Sequence, residues 1–194
     1  MTFSKQAPSA TRMLRSEHAD VLTQLHTLEP DTAPNTRATV LRSICAALEI
    51  HAQIEEELFY PALRAAAIQS PALDKSASEH EAMGRLIARV RSLDDEPAAQ
   101  DDALNELMNA ALHHVADEET QLLPAAERFL GPERLAELGA QMVARRAELV
   151  ESRAVELAGE AAHGAPVKAA LVAAGMLAAA AVLVKAMRRG TVQH

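Results

Sequence analysis

A chain of 194 residues fits one domain with appendages, or at most two small domains, and 49% hydrophobic residues are enough for a real core. Aromatics make up only 2%, Trp is absent, Ala and Leu dominate, and alternating β-branched runs are missing, so the composition favours helices over sheets. A net charge of −8 leaves no basic stripe to neutralise phosphates and argues against nucleic acid as a partner, while the single Cys45 excludes an intramolecular disulfide and a cysteine-based zinc or iron–sulfur site.

Residues 1–10 are polar, and their lack of an apolar run predicts no secretory signal and a cytoplasmic location. A helix is expected over about 11–28, with Leu14, His18, Val21, Leu25 and Leu28 on one stripe. Pro30 and Pro34 interrupt it, and Asn35 or Thr36 can cap the next helix. The inner stripe of that second helix reads Leu41, Ile44, Leu48, His51, Glu55, Leu58, Ala62, a 3-4-3-4 pattern broken chemically only by His51 and Glu55. A third helix over about 73–93 carries His80, Met83, Ile87 and Val90. A fourth, entered through Pro97, carries Leu104, Leu107, Ala111, His114, Glu118 and Ala125. Pro61 and Pro124, at matching places, are expected to kink or end their helices.

These segments repeat. Ser16-Glu17-His18 matches Ser78-Glu79-His80 at an offset of 62, and His51-x-x-x-Glu55 matches His114-x-x-x-Glu118 at an offset of 63. Two helical hairpins, neither able to bury its own apolar face, predict an all-α, antiparallel up-down four-helix bundle over residues 1–130. A fifth helix is expected over 131–158. Its seam of small residues, among them Ala136, Ala140, Val143 and Ala147, can pack on the bundle or on a second copy in a homodimer.

The remainder, 159–194, reads as a linker and an Ala-rich apolar helix. Its uncharged run, 169–184, would span roughly 24 Å as a helix against about 30 Å of bilayer hydrocarbon. Lys168, Lys185, Arg188 and Arg189 fence that run. Membrane association through 166–189 and a buried or self-associating helix both stay open.

Residues i and i+4 lie above one another on a helix, so each His-x-x-x-Glu offers a ring nitrogen and a carboxylate to one point. His18, His51, Glu55, His80, His114 and Glu118 are then six inward groups at comparable height. Two buried carboxylates facing each other are expensive unless cations compensate them. Two divalent ions, each ended by two His and bridged by both Glu, would do so and keep positions open. That donor set suits non-haem iron better than calcium or magnesium, with manganese and zinc as other candidates. A lone His on an apolar stripe is usually a hydrogen-bonded core residue; the repeat lifts these four out of that class. Glu56, Glu57 and Glu119 read as a solvated acidic face, with Glu119 a weaker competitor for the bridging role of Glu118. His113 points outside, and His26 reads as a core group. Tyr60 is either a core-edge side chain or a hydrogen-bonding or redox-active neighbour. The reversed motif Glu160-x-x-His163 stands alone in the linker and is treated as chance.

With these residues the chain resembles the hemerythrin-like HHE cation-binding family, whose signature is His, His-x-x-x-Glu, His, His-x-x-x-Glu. The resemblance covers roughly 11–130 and implies four terminal iron ligands, His18, His51, His80 and His114, and two bridging carboxylates, Glu55 and Glu118. Oxygen-carrying members add a fifth His where this chain has Gly84, and the iron–sulfur repair relatives add paired cysteines that it lacks. The resemblance therefore implies a carboxylate-bridged, non-haem di-iron protein that handles or senses peroxide, O2 or NO. Catalase-like peroxide breakdown is the enzymatic form of that expectation. A non-catalytic iron sensor or buffer signalling through the C-terminal helices is the alternative.

Overall fold

The computed structural model describes residues 7–28 and 32–164, and the side chains of His26 and of 155–164 lie outside that description. Every regular element among the described residues is helical. Helix α1 (Ala10–His26) starts at Ser9, whose hydroxyl accepts from the Arg12 backbone N–H. Helices α2 (Pro34–Ile54), α4 (Pro71–Ser92) and α5 (Pro97–Asp117) each begin with a proline, whose missing N–H would be unpaired there in any case. α1 with α2 and α4 with α5 form the two hairpins, which pair into the expected four-helix bundle. The expected membrane-proximal tail, 166–189, falls outside the described residues, and none of the described helices is long and apolar enough to cross a membrane.

Of the two outcomes expected at Pro61 and Pro124, a kink or an end, the structure excludes the end. Neither ends its helix. Instead, α2 runs into a π-helical turn, Glu55–Phe59, and then into α3 (Tyr60–Ala65); α5 runs through Glu118–Leu122 into α6 (Leu123–Gly164). The Tyr60 N–H bonds to Glu55 O, and the Leu123 N–H to Glu118 O, five residues back rather than four. The wider turn gives each pyrrolidine ring room, and the helical backbone continues past it. Both turns open at the carboxylates of the repeated motif.

α6 has two legs. At Gly131 the backbone takes φ 74°, ψ 165°, and Pro132 begins the second leg. That leg packs Leu135, Leu138, Met142, Leu149 and Val150 against Met13, Leu14, Ile50, Ile54 and Phe59. A second core, including Val21, Leu25, Ile44, Leu48, Met83, Ile87, Leu104 and Leu107, fills the other end of the bundle. Along α1, His18 falls between Leu14 of one core and Val21 of the other; along α4, His80 falls between Leu73 and Met83. The polar residues thus form one layer between two apolar ones.

The N-terminal segment crosses α6 at Gly139, where a Cβ would stand 2.1 Å from Pro8 O and 2.7 Å from Ala10 N. A Cβ at Gly84, within α4, meets nothing within 4 Å. Gly84→Ala should therefore stabilise the fold by about 0.5–1 kcal/mol through helix propensity. Gly139→Ala should destabilise it by about 1–3 kcal/mol, because backbone rather than a mobile side chain has to give way. Urea denaturation of the two variants checks the opposite signs.

Candidate metal centre

All six predicted groups are buried, and the structure brings them together. His18, His51, Glu55 and Glu118 offer donor atoms within 4.8 Å of one another, and Glu55, His80 and His114 form an adjoining group of the same kind. Glu55 belongs to both. His51 Nε2 lies 3.3 Å from Glu55 Oε1 and His18 Nε2 3.3 Å from Glu118 Oε2. His80 and His114 Nε2 lie 3.4 and 3.6 Å from Glu55 Oε2. Glu118 rather than Glu119 points inward, with 1% of its side chain exposed against 32%. His113 is on the outside, as expected, near Asp117 and Lys75.

Each ring is oriented from behind. The Nδ1–H of His51 donates to Glu17 at 2.9 Å, that of His114 to Glu79 at 3.0 Å, that of His80 to Glu56 at 2.8 Å, and that of His18 to Glu119 at 2.9 Å. A neutral imidazole that donates from Nδ1 carries its lone pair on Nε2, the nitrogen facing the centre. The four pairs obey the internal repeat. The Glu preceding one motif His holds the ring on the next helix, and the Glu following each inner Glu holds a ring of the opposite hairpin.

The sequence reading of Glu56 and Glu119 as a solvated acidic face is incomplete, because each also holds a ring of the centre. Both side chains keep contact with solvent, Glu56 at 50% exposed and Glu119 at 32%, yet each also reaches a ring on a neighbouring helix. Glu57 does lie outside, paired with Arg145. Glu17 and Glu79 were missed as functional residues, although the repeated Ser-Glu-His carried the signal. Three of the four outer carboxylates are in turn held by a cation: Glu17 by Arg146, Glu79 by Lys75, Glu119 by Arg15.

Tyr60 is not at the core edge. Its hydroxyl lies 3.1 Å from Glu55 Oε2 and 3.0 Å from Glu118 Oε1, and its ring stacks on His80 with centroids 5.6 Å apart. The π turn causes this, because it places residue 60 over residue 55, where a regular helix would place residue 59. Burial, with the two carboxylates adding to it, pushes the phenol pKa far above its ordinary value, so the proton stays on the oxygen.

The donor set fits a bound cation on two observations. His18 Nε2, His51 Nε2, Glu55 Oε1 and Glu118 Oε2 are buried without a hydrogen-bond partner, and they are the four groups of the first cluster. His80 and His114 also direct their Nε2 atoms at each other across 3.1 Å, a contact that needs a proton or a cation between the lone pairs. A third cluster, Glu79, His113 and Asp117, is already filled by the Lys75 ammonium.

Without metal the centre is electrostatically strained. Burial and then the charge of Glu55 push the Glu118 carboxyl up. Burial acts the same way on Glu55, but His51, His114 and His80 overcome it and hold that carboxyl well below its usual range. Burial works to lower the two imidazoles, and the carboxylates outweigh it, raising His51 to about 10 and His114 to about 9.

A group raised in the folded state adds stability below its unfolded pKa, about 6.5 for His, and loses it as pH climbs through the folded value. The melting temperature of metal-free protein should therefore fall between about pH 6.5 and 10. Metal-loaded protein, whose ligating imidazoles are already neutral, should not follow it. A metal-free melting temperature that is flat or rising over that range would contradict the arrangement.

The model of the hemerythrin HHE cation-binding domain matches residues 9–126, which contain all six inner groups, the four outer carboxylates and Tyr60. No curated protein matches the chain, and no solved structure does. The match spans more than half of the sequence and coincides with the bundle that carries the His/Glu layer; the chain belongs to the hemerythrin HHE cation-binding domain family.

Proposed function

We propose that this protein holds two iron ions, for which His18, His51, Glu55, His80, His114 and Glu118 would be the holding residues, and that it handles or senses a small oxidant there. Peroxide is the first candidate, ahead of O2 and NO. The observation that carries the reading is the set of four partnerless buried atoms, two ring nitrogens and two carboxylate oxygens, aimed at one point. A mixed nitrogen and carboxylate set with room for further ligands suits iron. When bound, a pair of such ions supplies Lewis acidity and two electrons of redox capacity.

The chain's own residues supply the rest. The outer carboxylates hold the four rings in the tautomer that presents a lone pair inward. Tyr60 keeps a proton between the two inner carboxylates, within reach of either oxygen. A narrow cleft between α1, α2, α4 and α5 is lined in part by Glu17, His18, His51 and His114. Its walls include Val21, Leu25, Leu48, Met83, Met108 and Leu112. An apolar passage of that kind admits a small uncharged molecule and disfavours ions, which would have to shed their hydration. Gly84, the position of the extra His in oxygen carriers, is exposed and contributes no side chain, which supports oxidant handling over reversible oxygen carriage.

If the role is catalytic, iron-loaded protein converts two molecules of hydrogen peroxide to two of water and one of O2. Its oxygen evolution should exceed that of a His51→Ala, Glu55→Ala double variant by more than the roughly tenfold that loss of even one outer partner of a metal-holding His brings. Elemental analysis of both preparations checks that the difference follows the iron. Equal rates would remove the enzymatic reading and favour the non-catalytic sensor, which the Arg146–Glu17 ion pair, joining α6 to a carboxylate that holds His51, also supports.

A further inference from the structure

Glu17 and Glu79 are counterparts in the repeat, yet they are fixed differently. Glu79 Oε1 lies 2.8 Å from Lys75 Nζ, one turn back on its own helix. The same offset in the first hairpin leads to Met13, which is buried in the core against α6 and has no charge to offer. The cation comes from α6 instead: Arg146 Nε donates to Glu17 Oε1 at 2.7 Å, while Glu17 Oε2 accepts from His51 Nδ1 at 2.9 Å. A continuous relay thus runs from the second leg of α6 to a ring nitrogen of the centre.

The other arginines of this leg make a useful contrast. Arg145 donates to Glu57 at 2.6 and 3.0 Å, and Arg153 pairs with Glu49. Those contacts clamp the helix to α2 and its π turn. Among the described residues, Arg146 is the α6 side chain whose carboxylate partner also holds a histidine of the centre. The carboxylate of this pair is largely buried, with Glu17 11% exposed on its side chain, while the Arg146 end is 37% exposed.

We propose that filling the metal centre and seating α6 on the bundle are coupled through Arg146, Glu17 and His51, so that α6 is held more firmly when the centre is loaded. The proposal rests on the reading of the six inner groups as a metal site. With an ion held at the centre, the His51 ring would be fixed; its Nδ1–H would then fix one oxygen of Glu17, and the other oxygen would meet Arg146 in one geometry. In the opposite direction, Arg146 keeps Glu17 in the rotamer that orients the ring. A coupling of this sort is reciprocal: whatever firmness the metal adds to α6, α6 returns as metal affinity. Removing the outer partner of a metal-holding His typically costs about 10–100-fold in affinity. Arg146 acts through another residue, so the lower end of that range is expected.

The test uses the full chain, titrated anaerobically with ferrous iron, with elemental analysis for stoichiometry and amide hydrogen exchange over 140–150 with and without iron. In the unaltered protein, iron should slow exchange in that stretch several-fold. Arg146→Gln should bind iron about tenfold more weakly and lose the iron-dependent protection. Arg145→Gln, one position away and equally a clamp of α6, should keep both, and Arg146→Lys should recover part of each. Two bound irons with unchanged exchange in the unaltered protein overturn the coupling alone, a result that needs no variant to fold. Equal behaviour of the Arg145 and Arg146 variants also overturns it, since the effect would then be a general loosening of the helix. A folded chain that takes up no iron overturns the metal reading itself, and this proposal with it.

Discussion

Two carboxylates placed side by side in a dry interior are the constraint from which the rest of the structure follows. Glu55 and Glu118 are buried to within 1% of their surface, between apolar layers that offer them nothing. An isolated buried carboxylate costs several kcal/mol in effective terms, and a facing pair costs more. The chain surrounds them with four imidazoles, a phenol whose proton they share, and an outer ring of four carboxylates that turns each imidazole to face them. Every group in that set makes chemical sense as the wall of a cation site, and the four buried atoms that lack a hydrogen-bond partner face one point within it.

The internal repeat explains how so many groups reach one layer. A two-fold relation lets one local pattern, a His with a Glu before it and a His-x-x-x-Glu with a Glu after it, be used twice, and each copy completes the other. The departures from symmetry are as informative. Tyr60 stands where the second hairpin has Leu123, and so the proton-bearing hydroxyl is present on one side only. Lys75 stands where the first hairpin has Met13, and so one outer carboxylate is held within its own helix and the other from α6. The π turns belong to the symmetric part. They let both helices pass a proline without breaking, and they bring residue i+5 over the inner carboxylate.

α6 is tied to one half of the bundle. Its second leg buries apolar side chains against α1 and α2 and sets Arg145, Arg146 and Arg153 on the carboxylates of α1, α2 and the first π turn. Gly131 supplies the turn that makes this possible, since its φ of 74° is one that few other residues adopt readily. The helix is therefore part of the centre's surroundings as well as a cover for one core.

Much of this was legible in the sequence because it depends on spacing along single helices. The stripes of Leu, Ile and Val fixed which faces turn inward, and a four-residue separation put His51 with Glu55 and His114 with Glu118 whatever the helices packed against. The offsets of 62 and 63 residues determined that His18 and His80 would join them. What the tertiary structure decided involves either two helices at once or a departure from 3.6 residues per turn. Glu56 and Glu119 look solvated on their own helices and hold rings only because another helix lies alongside. Tyr60 enters the centre only because a π turn adds a residue to the period, and no periodic reading places it there. Arg146 meets Glu17 across 129 residues of chain, a distance that local pattern cannot bridge. The sequence determined which side chains would be inside; packing decided which of them would hold the others in place.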